Sequence, residues 1–190
     1  MFKKSNLIGL MFAGALVFAA CDSKTETAAD KKSDAAGDRV EQNEDMREDF
    51  NSTWEQYLEV KDALVASQPT DVQREANELV DEAKEVDKWD ATSDKRQQWV
   101  AYSPKFVQAA QNVAATNDIA QQRVAFEQLS MVMEEGLKTF GLHRKTAYKQ
   151  HCPMAFNNKG AAWFSDDKEI ANPYEPTMKT CGSVTATMAF

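Results

Sequence analysis

Five side chains with soft donor atoms fall in two short stretches near the end of this sequence. The first is His151-Cys152-Pro153-Met154 and the second is Met178-Lys179-Thr180-Cys181, so each stretch spans a spacing of three. Together they supply two thiols, two thioethers and one imidazole. Thiolate and thioether are what monovalent copper prefers, and imidazole suits several metals. Thiolates bind as the deprotonated form, so metal uptake would release protons and weaken in acid. The spacing is neither a pair of C-x-x-C motifs nor the C-x-x-C-H of haem attachment. A blue-copper centre needs two histidines and a cysteine. The other histidine, His143, sits beside Arg144 and Lys145, which repel a cation. The same two cysteines have a plainer reading, a Cys152–Cys181 disulfide closing a loop of roughly 30 residues and stabilising by ~3 kcal/mol. Residue types and spacing leave dithiol and disulfide both open.

Catalysis is not expected. A Cys–His pair needs the thiolate poised beside the imidazole. On an extended strand the adjacent His151 and Cys152 would point to opposite faces. Nothing has the form of a phosphate loop or a paired-carboxylate site. Nucleic acid is not an expected partner either, because the chain carries a formal charge of −8 and no Lys/Arg cluster.

The compartment is read from the N-terminus. Lys3 and Lys4 precede an uncharged run, Leu7 to Ala20, of 14 residues, which suits a signal peptide and is short for a membrane span. The run closes on Phe18-Ala19-Ala20-Cys21, which resembles the bacterial lipobox, where the cysteine is lipidated and becomes the first mature residue. The expectation is a lipoprotein of the cell envelope, anchored through Cys21 to the inner or outer membrane and facing the periplasm or the cell surface. Losing residues 1–20 removes two lysines and moves the formal charge from −8 to −10. An oxidising envelope compartment keeps the disulfide alternative in play. Residues 21–43 are small and polar with almost no large apolar side chain, the composition of a disordered tether.

The elements that must position the soft donors begin near residue 44. Met46, Phe50, Trp54, Tyr57, Leu58 and Leu64 recur as one helical stripe, broken at Ser67-Gln68-Pro69. Thr70 and Gln73 have capping-box spacing ahead of a second stripe, Val72, Ala76, Leu79, Val80, Ala83 and Val86. A third helix is expected from about Ser93 to Ala115, with a kink or a fresh start at Pro104. In the fourth, Asp118 is placed to cap, and Ile119, Phe126, Met133 and Phe140 are spaced by seven with Leu129 and Leu137 between. Gly141 falls where a left-handed C-terminal cap belongs. The fold class expected is mainly α: a four-helix up-down antiparallel bundle within a single domain, 44–190. Its C-terminal segment, 141–190, is loop-rich with one or two short strands, Thr146–Cys152 and Ser183–Met188, anchored by Trp163, Phe164 and Tyr174.

Several groups of residues resemble an uncharacterised bacterial domain family. They are Gln150 to Ala155, Asn158-Lys159-Gly160-Ala161 with Trp163, Lys168-Glu169-Ile170, Asn172-Pro173-Tyr174, and Met178 with Cys181-Gly182. In the helical part the resemblance takes in Tyr57-Leu58, Lys61 to Val65, Arg123, Ala125-Phe126 and Leu129-Ser130. This domain of unknown function is common in Bacteroidetes. It occurs as stand-alone exported proteins and as the C-terminal module of membrane-fusion adaptors in Cus-type copper/silver efflux systems. The resemblance implies a helical domain with a role in envelope copper or silver handling, with soft donors at His151, Cys152, Met154, Met178 and Cys181. The implied metal is Cu(I) or Ag(I), and the implied partner is an efflux adaptor or a metallochaperone. Two departures stand out: Arg96 to Tyr102 lacks the His or Met often found there, and Ala171 replaces an Arg. The competing expectation is a structural or protein-interaction domain stapled by Cys152–Cys181.

Overall fold

The computed structural model describes residues 28–85 and 94–190, with side chains described from Met46 onward. Cys21, the leader segment and Val86 lie outside the described residues. Four helices come first: α1 (Ala28–Ala66), α2 (Pro69–Glu85), α3 (Asp94–Ala114) and α4 (Ile119–Phe140). Each packs on the next, and α4 returns to α1. The two-residue α1–α2 connection and the short α3–α4 turn force those neighbours antiparallel. The protein is thus mainly helical, with a small antiparallel sheet after the bundle.

The stripes read from spacing are the buried faces. Phe50, Trp54, Tyr57, Leu64, Leu79, Trp99, Phe106, Phe126, Leu129 and Met133 are all fully buried. At the start of α4, Asp118 accepts from the amides of Ala120 and Gln121 at 2.8 and 3.1 Å. At its end Gly141 takes φ +72° and donates to the Leu137 carbonyl. One end of the bundle is an aromatic cluster, in which Trp99, Tyr102 and Phe50 each lie within 5.5 Å of Phe140, centre to centre.

Gly136 is packed beneath this cluster: a Cβ there would meet the Tyr102 hydroxyl at 2.5 Å and Phe50 Cζ at 2.8 Å. Helix propensity alone favours Ala over Gly by about 1 kcal/mol. Overpacking costs about 1–3 kcal/mol, and here it also disturbs the bond from Tyr102 to the Val132 carbonyl. Gly136→Ala is therefore expected to lower stability, read as a reduced urea midpoint with an unchanged slope.

Three expectations need correction, and one of two alternatives at Pro104 is settled. Residues 28–43, expected as tether, are part of α1. Ala, Lys and Glu are sound helix formers, and extending an existing helix avoids the cost of nucleation. The Thr70–Gln73 capping box does not form. Pro69 takes the first helical position, where its missing N–H is no loss, and Gln73 donates instead to the Ala114 carbonyl. Helix α3 runs through Pro104 without restarting. Its buried face continues on both sides of the proline, with Trp99 and Tyr102 before it and Phe106, Ala109 and Val113 after. The sheet has three strands, not one or two: β1 (Thr146–Cys152), β2 (Ala161–Ser165) and β3 (Ser183–Ala189), in the antiparallel order β2-β1-β3. Ala161-Ala162-Trp163-Phe164-Ser165 is buried almost throughout, so it lacks the alternation that marks a half-exposed strand.

One face of the sheet rests on the bundle. Lys149 bonds Glu134 of α4 at 2.7 Å, and the Phe164 amide donates to the Tyr57 hydroxyl of α1 at 3.2 Å. Burial raises the Glu134 carboxyl, but bonds from Lys138 and Lys149 outweigh it and hold the group below its ordinary range. The opposite face is covered by the loop 166–182.

Candidate functional site

Strand β1 is central, and Cys152 is its last residue, with no solvent exposure. Cys181 lies two residues before β3 and is half-buried. The two are joined as a disulfide, with Cα atoms 5.6 Å apart and a sequence separation of 29. Of the two readings open in the sequence, the structure thus displays the disulfide.

Alternation along β1 places Cys152, Gln150 and Tyr148 on the face beneath the covering loop, and His151, Lys149 and Ala147 on the bundle face. His151 therefore does not share a face with Cys152, although it is adjacent in sequence. Its ring packs over Gly160, where a Cβ would come within 2.8 Å of Nε2 and where φ is +79°. Met154, 46% exposed, follows Cys152 in the β1–β2 turn. Met178 is half-buried, and its carbonyl accepts from the Cys181 amide at 3.0 Å. Each methionine thus sits on the turn flanking one cysteine. His143 has a separate structural place, its amide bonded to Asn51 and its ring 3.7 Å from Glu48.

The β1–β2 turn is under backbone strain. Phe156, Asn157 and Asn158 take φ of 51°, 60° and 66°. Asn tolerates the left-handed region, whereas an aromatic residue there costs roughly 1–2 kcal/mol. The Phe156 ring, 5.2 Å from that of Tyr174, offsets part of it. The Asn158 and Gly160 amides close the turn on the Met154 and Ala155 carbonyls.

The loop that carries Cys181 is tied down by bonds that do not involve sulfur. Gln150 Nε2 donates to the carbonyls of Asp167 and Glu169 at 2.8 and 3.0 Å. Asn172 accepts from the Tyr174 amide, while its own amide donates to the Lys179 carbonyl at 2.7 Å. The Tyr174 hydroxyl donates to the Ala162 carbonyl of β2 at 2.9 Å. From α4, Arg123 Nε donates to the Pro173 carbonyl at 2.9 Å, and its other arm reaches the Leu64 carbonyl and Ser67 Oγ at the end of α1. Burial pulls the Arg123 guanidinium down from its usual range, with Glu175 opposing. Tyr57 and Ser130 share a bond at 2.8 Å beneath the loop. Burial pushes the hydroxyls of Tyr57 and Tyr174 well above the ordinary tyrosine range, so both serve as neutral bonding groups.

Sequence reasoning gave Arg123, Ser130, Gln150 and Asn172 no function, although each belongs to the groups of residues that carry the family resemblance. A signal for two of them was present. Arg123, Phe126, Ser130, Met133, Leu137 and Phe140 follow helical spacing and are all buried. A polar residue on such a row must find a partner.

Among the described residues no three or more His, Cys, Asp or Glu side chains are grouped to hold a metal ion. No described helix is long and apolar enough to cross a membrane. The two cysteine sulfurs are bonded to each other, so any thiolate chemistry at this place first requires reduction.

Fold and site together define a four-helix bundle carrying a disulfide-closed three-stranded sheet. Residues 53–145 match the model of a family described as Protein of unknown function (DUF3347), so that part of the chain is a domain of unknown function. The match covers the bundle from within α1 and stops just before β1, so both cysteines lie beyond it. No curated protein and no solved structure matches the chain.

Proposed function

We propose that this protein is an envelope domain, anchored through lipid on Cys21, that captures Cu(I) or Ag(I) on reduced Cys152 and Cys181. It buffers the metal or passes it to an efflux adaptor or metallochaperone. The observation that carries the reading is the pinning of both cysteines by bonds independent of the disulfide. Cys152 is held in the central strand, and Cys181 on a loop fixed through Gln150, Arg123, Asn172 and Tyr174. Reduction then leaves two thiols facing one another, and a preorganised chelate binds with less ordering cost. Met154 and Met178, on the flanking turns, complete a sulfur-rich shell of the kind monovalent copper favours. His151 faces away and contributes last, if the turn at Pro153 moves.

A second reading, a domain for protein contacts with a purely structural disulfide, is favoured by the complete burial of Cys152. Proton release separates the two. Adding one equivalent of Cu(I) to the reduced protein in a weakly buffered indicator solution is expected to liberate protons from the thiols. Cys152→Ser and Cys181→Ser should abolish most of that release. Absence of any release from the reduced protein would leave the second reading.

A further inference from the structure

The two cysteines are unequal. Cys152 is sealed from solvent, while Cys181 is half-buried ahead of the outer strand. On the sheet face of Cys152 lie two buried polar atoms without a hydrogen-bond partner, Gln150 Oε1 and Trp163 Nε1. Gln150 precedes Cys152 by two residues on β1, and Trp163 stands directly across from Gln150 on β2. The other end of the Gln150 amide is committed to the Asp167 and Glu169 carbonyls, which fixes where Oε1 points. On the Cys181 side, Gly182 brings the backbone so close to the Trp163 ring that a Cβ would lie 3.1 Å from Cη2. A buried donor and a buried acceptor are thus left unmatched on the sheet face that Cys152 shares, a costly arrangement. A disulfide sulfur carries no proton and accepts poorly. A thiolate accepts strongly, and a thiol both donates and accepts.

We infer that the pair is a directional thiol–disulfide exchange site whose substrate is a dithiol reductant, with Cys181 the sulfur attacked and Cys152 the leaving sulfur. The inference rests on the reading of the pair as a working dithiol and supplies the step that readies it for metal. A reductant thiolate bonds to Cys181 Sγ, the sulfur–sulfur bond breaks, and its electron pair goes to Cys152 Sγ. Trp163 Nε1–H donates to that departing thiolate, and a better-stabilised leaving thiolate departs faster. Once protonated, the Cys152 thiol donates to Gln150 Oε1. The second thiolate of the reductant displaces Cys181 and departs as a disulfide. Two electrons and two protons pass from the reductant dithiol to the protein pair.

The test uses the whole oxidised protein. Glutathione, a monothiol, is added briefly, the mixture is quenched in acid, and the adduct is mapped by mass spectrometry. The adduct is expected on Cys181, and adducts shared equally or found on Cys152 would overturn the polarity. Trp163→Phe keeps the ring and removes the N–H; it should slow reduction by dithiothreitol about tenfold, with the far-UV spectrum unchanged. A folded variant reduced at the wild-type rate would overturn the part given to Trp163. Chemically reduced protein is titrated with Cu(I) alongside. Lost polarity with metal capture intact sinks this inference alone, and polarity without capture sinks the metal reading alone.

Discussion

Replacing Arg123 with methionine is expected to lower the unfolding free energy by about 2–3 kcal/mol. Methionine roughly fills the volume but strands an acceptor. The buried carbonyls of Pro173 and Leu64 receive two of the guanidinium's bonds, and the solvent-exposed Ser67 hydroxyl receives the third. The Leu64 carbonyl keeps the Ser67 amide at 3.1 Å, so the acceptor left buried and unpaired is the Pro173 carbonyl, at a cost of about 1–3 kcal/mol. Arg123→Lys should recover only part of the loss, because one ammonium cannot reach acceptors on opposite sides as a planar fork does. Urea titration by tryptophan fluorescence gives the number. A loss below about 1 kcal/mol for the methionine variant would mean that Arg123 does not tie the bundle to the loop.

Reducing the disulfide is the second large effect, and its two parts point in different directions. Opening a crosslink between residues 29 apart frees the unfolded chain and should cost roughly 3–4 kcal/mol of stability. The folded arrangement should nevertheless persist. The ties from Gln150, Asn172, Tyr174 and Arg123 remain, and Phe126, Tyr174 and Trp163 still pack with ring centres about 6 Å apart. Near-UV circular dichroism under reducing, non-denaturing conditions should therefore change little while the thermal midpoint falls. A near-UV signal that vanishes on reduction would show that sulfur alone holds the loop, and a preorganised dithiol would not exist.

The helices were legible because their burial follows one period. The stripes from Met46 to Leu64 and from Ile119 to Phe140, with Asp118 and Gly141 as end signals, specify both start and stop. Strand β2 was not legible, because Trp163 and Phe164 face opposite sides and both are buried. A continuous apolar run of four residues, Ala161 to Phe164, reads equally as core helix or anchor. At Pro104 the buried face on both sides carries the helix through, so of the two alternatives read there the fresh start does not occur. At the site, the sequence placed the sulfurs together but could not say which state they take, since a disulfide and a chelating dithiol need the same two cysteines at much the same distance. The opposed faces of His151 and Cys152 followed from strand alternation alone. The roles of Gln150 and Asn172 did not, because they depend on carbonyls contributed by a loop with no periodic pattern.

Metal capture by the reduced pair is the proposal on which the function rests. The most direct measurement is a Cu(I) competition titration of the reduced, oxygen-free protein against a chromophoric chelator, repeated with Cys152→Ser and Cys181→Ser. One tight equivalent is expected in the parent protein, and its loss in either variant. No competition by the parent at any pH near neutral would contradict it, leaving the disulfide as a structural closure of the sheet.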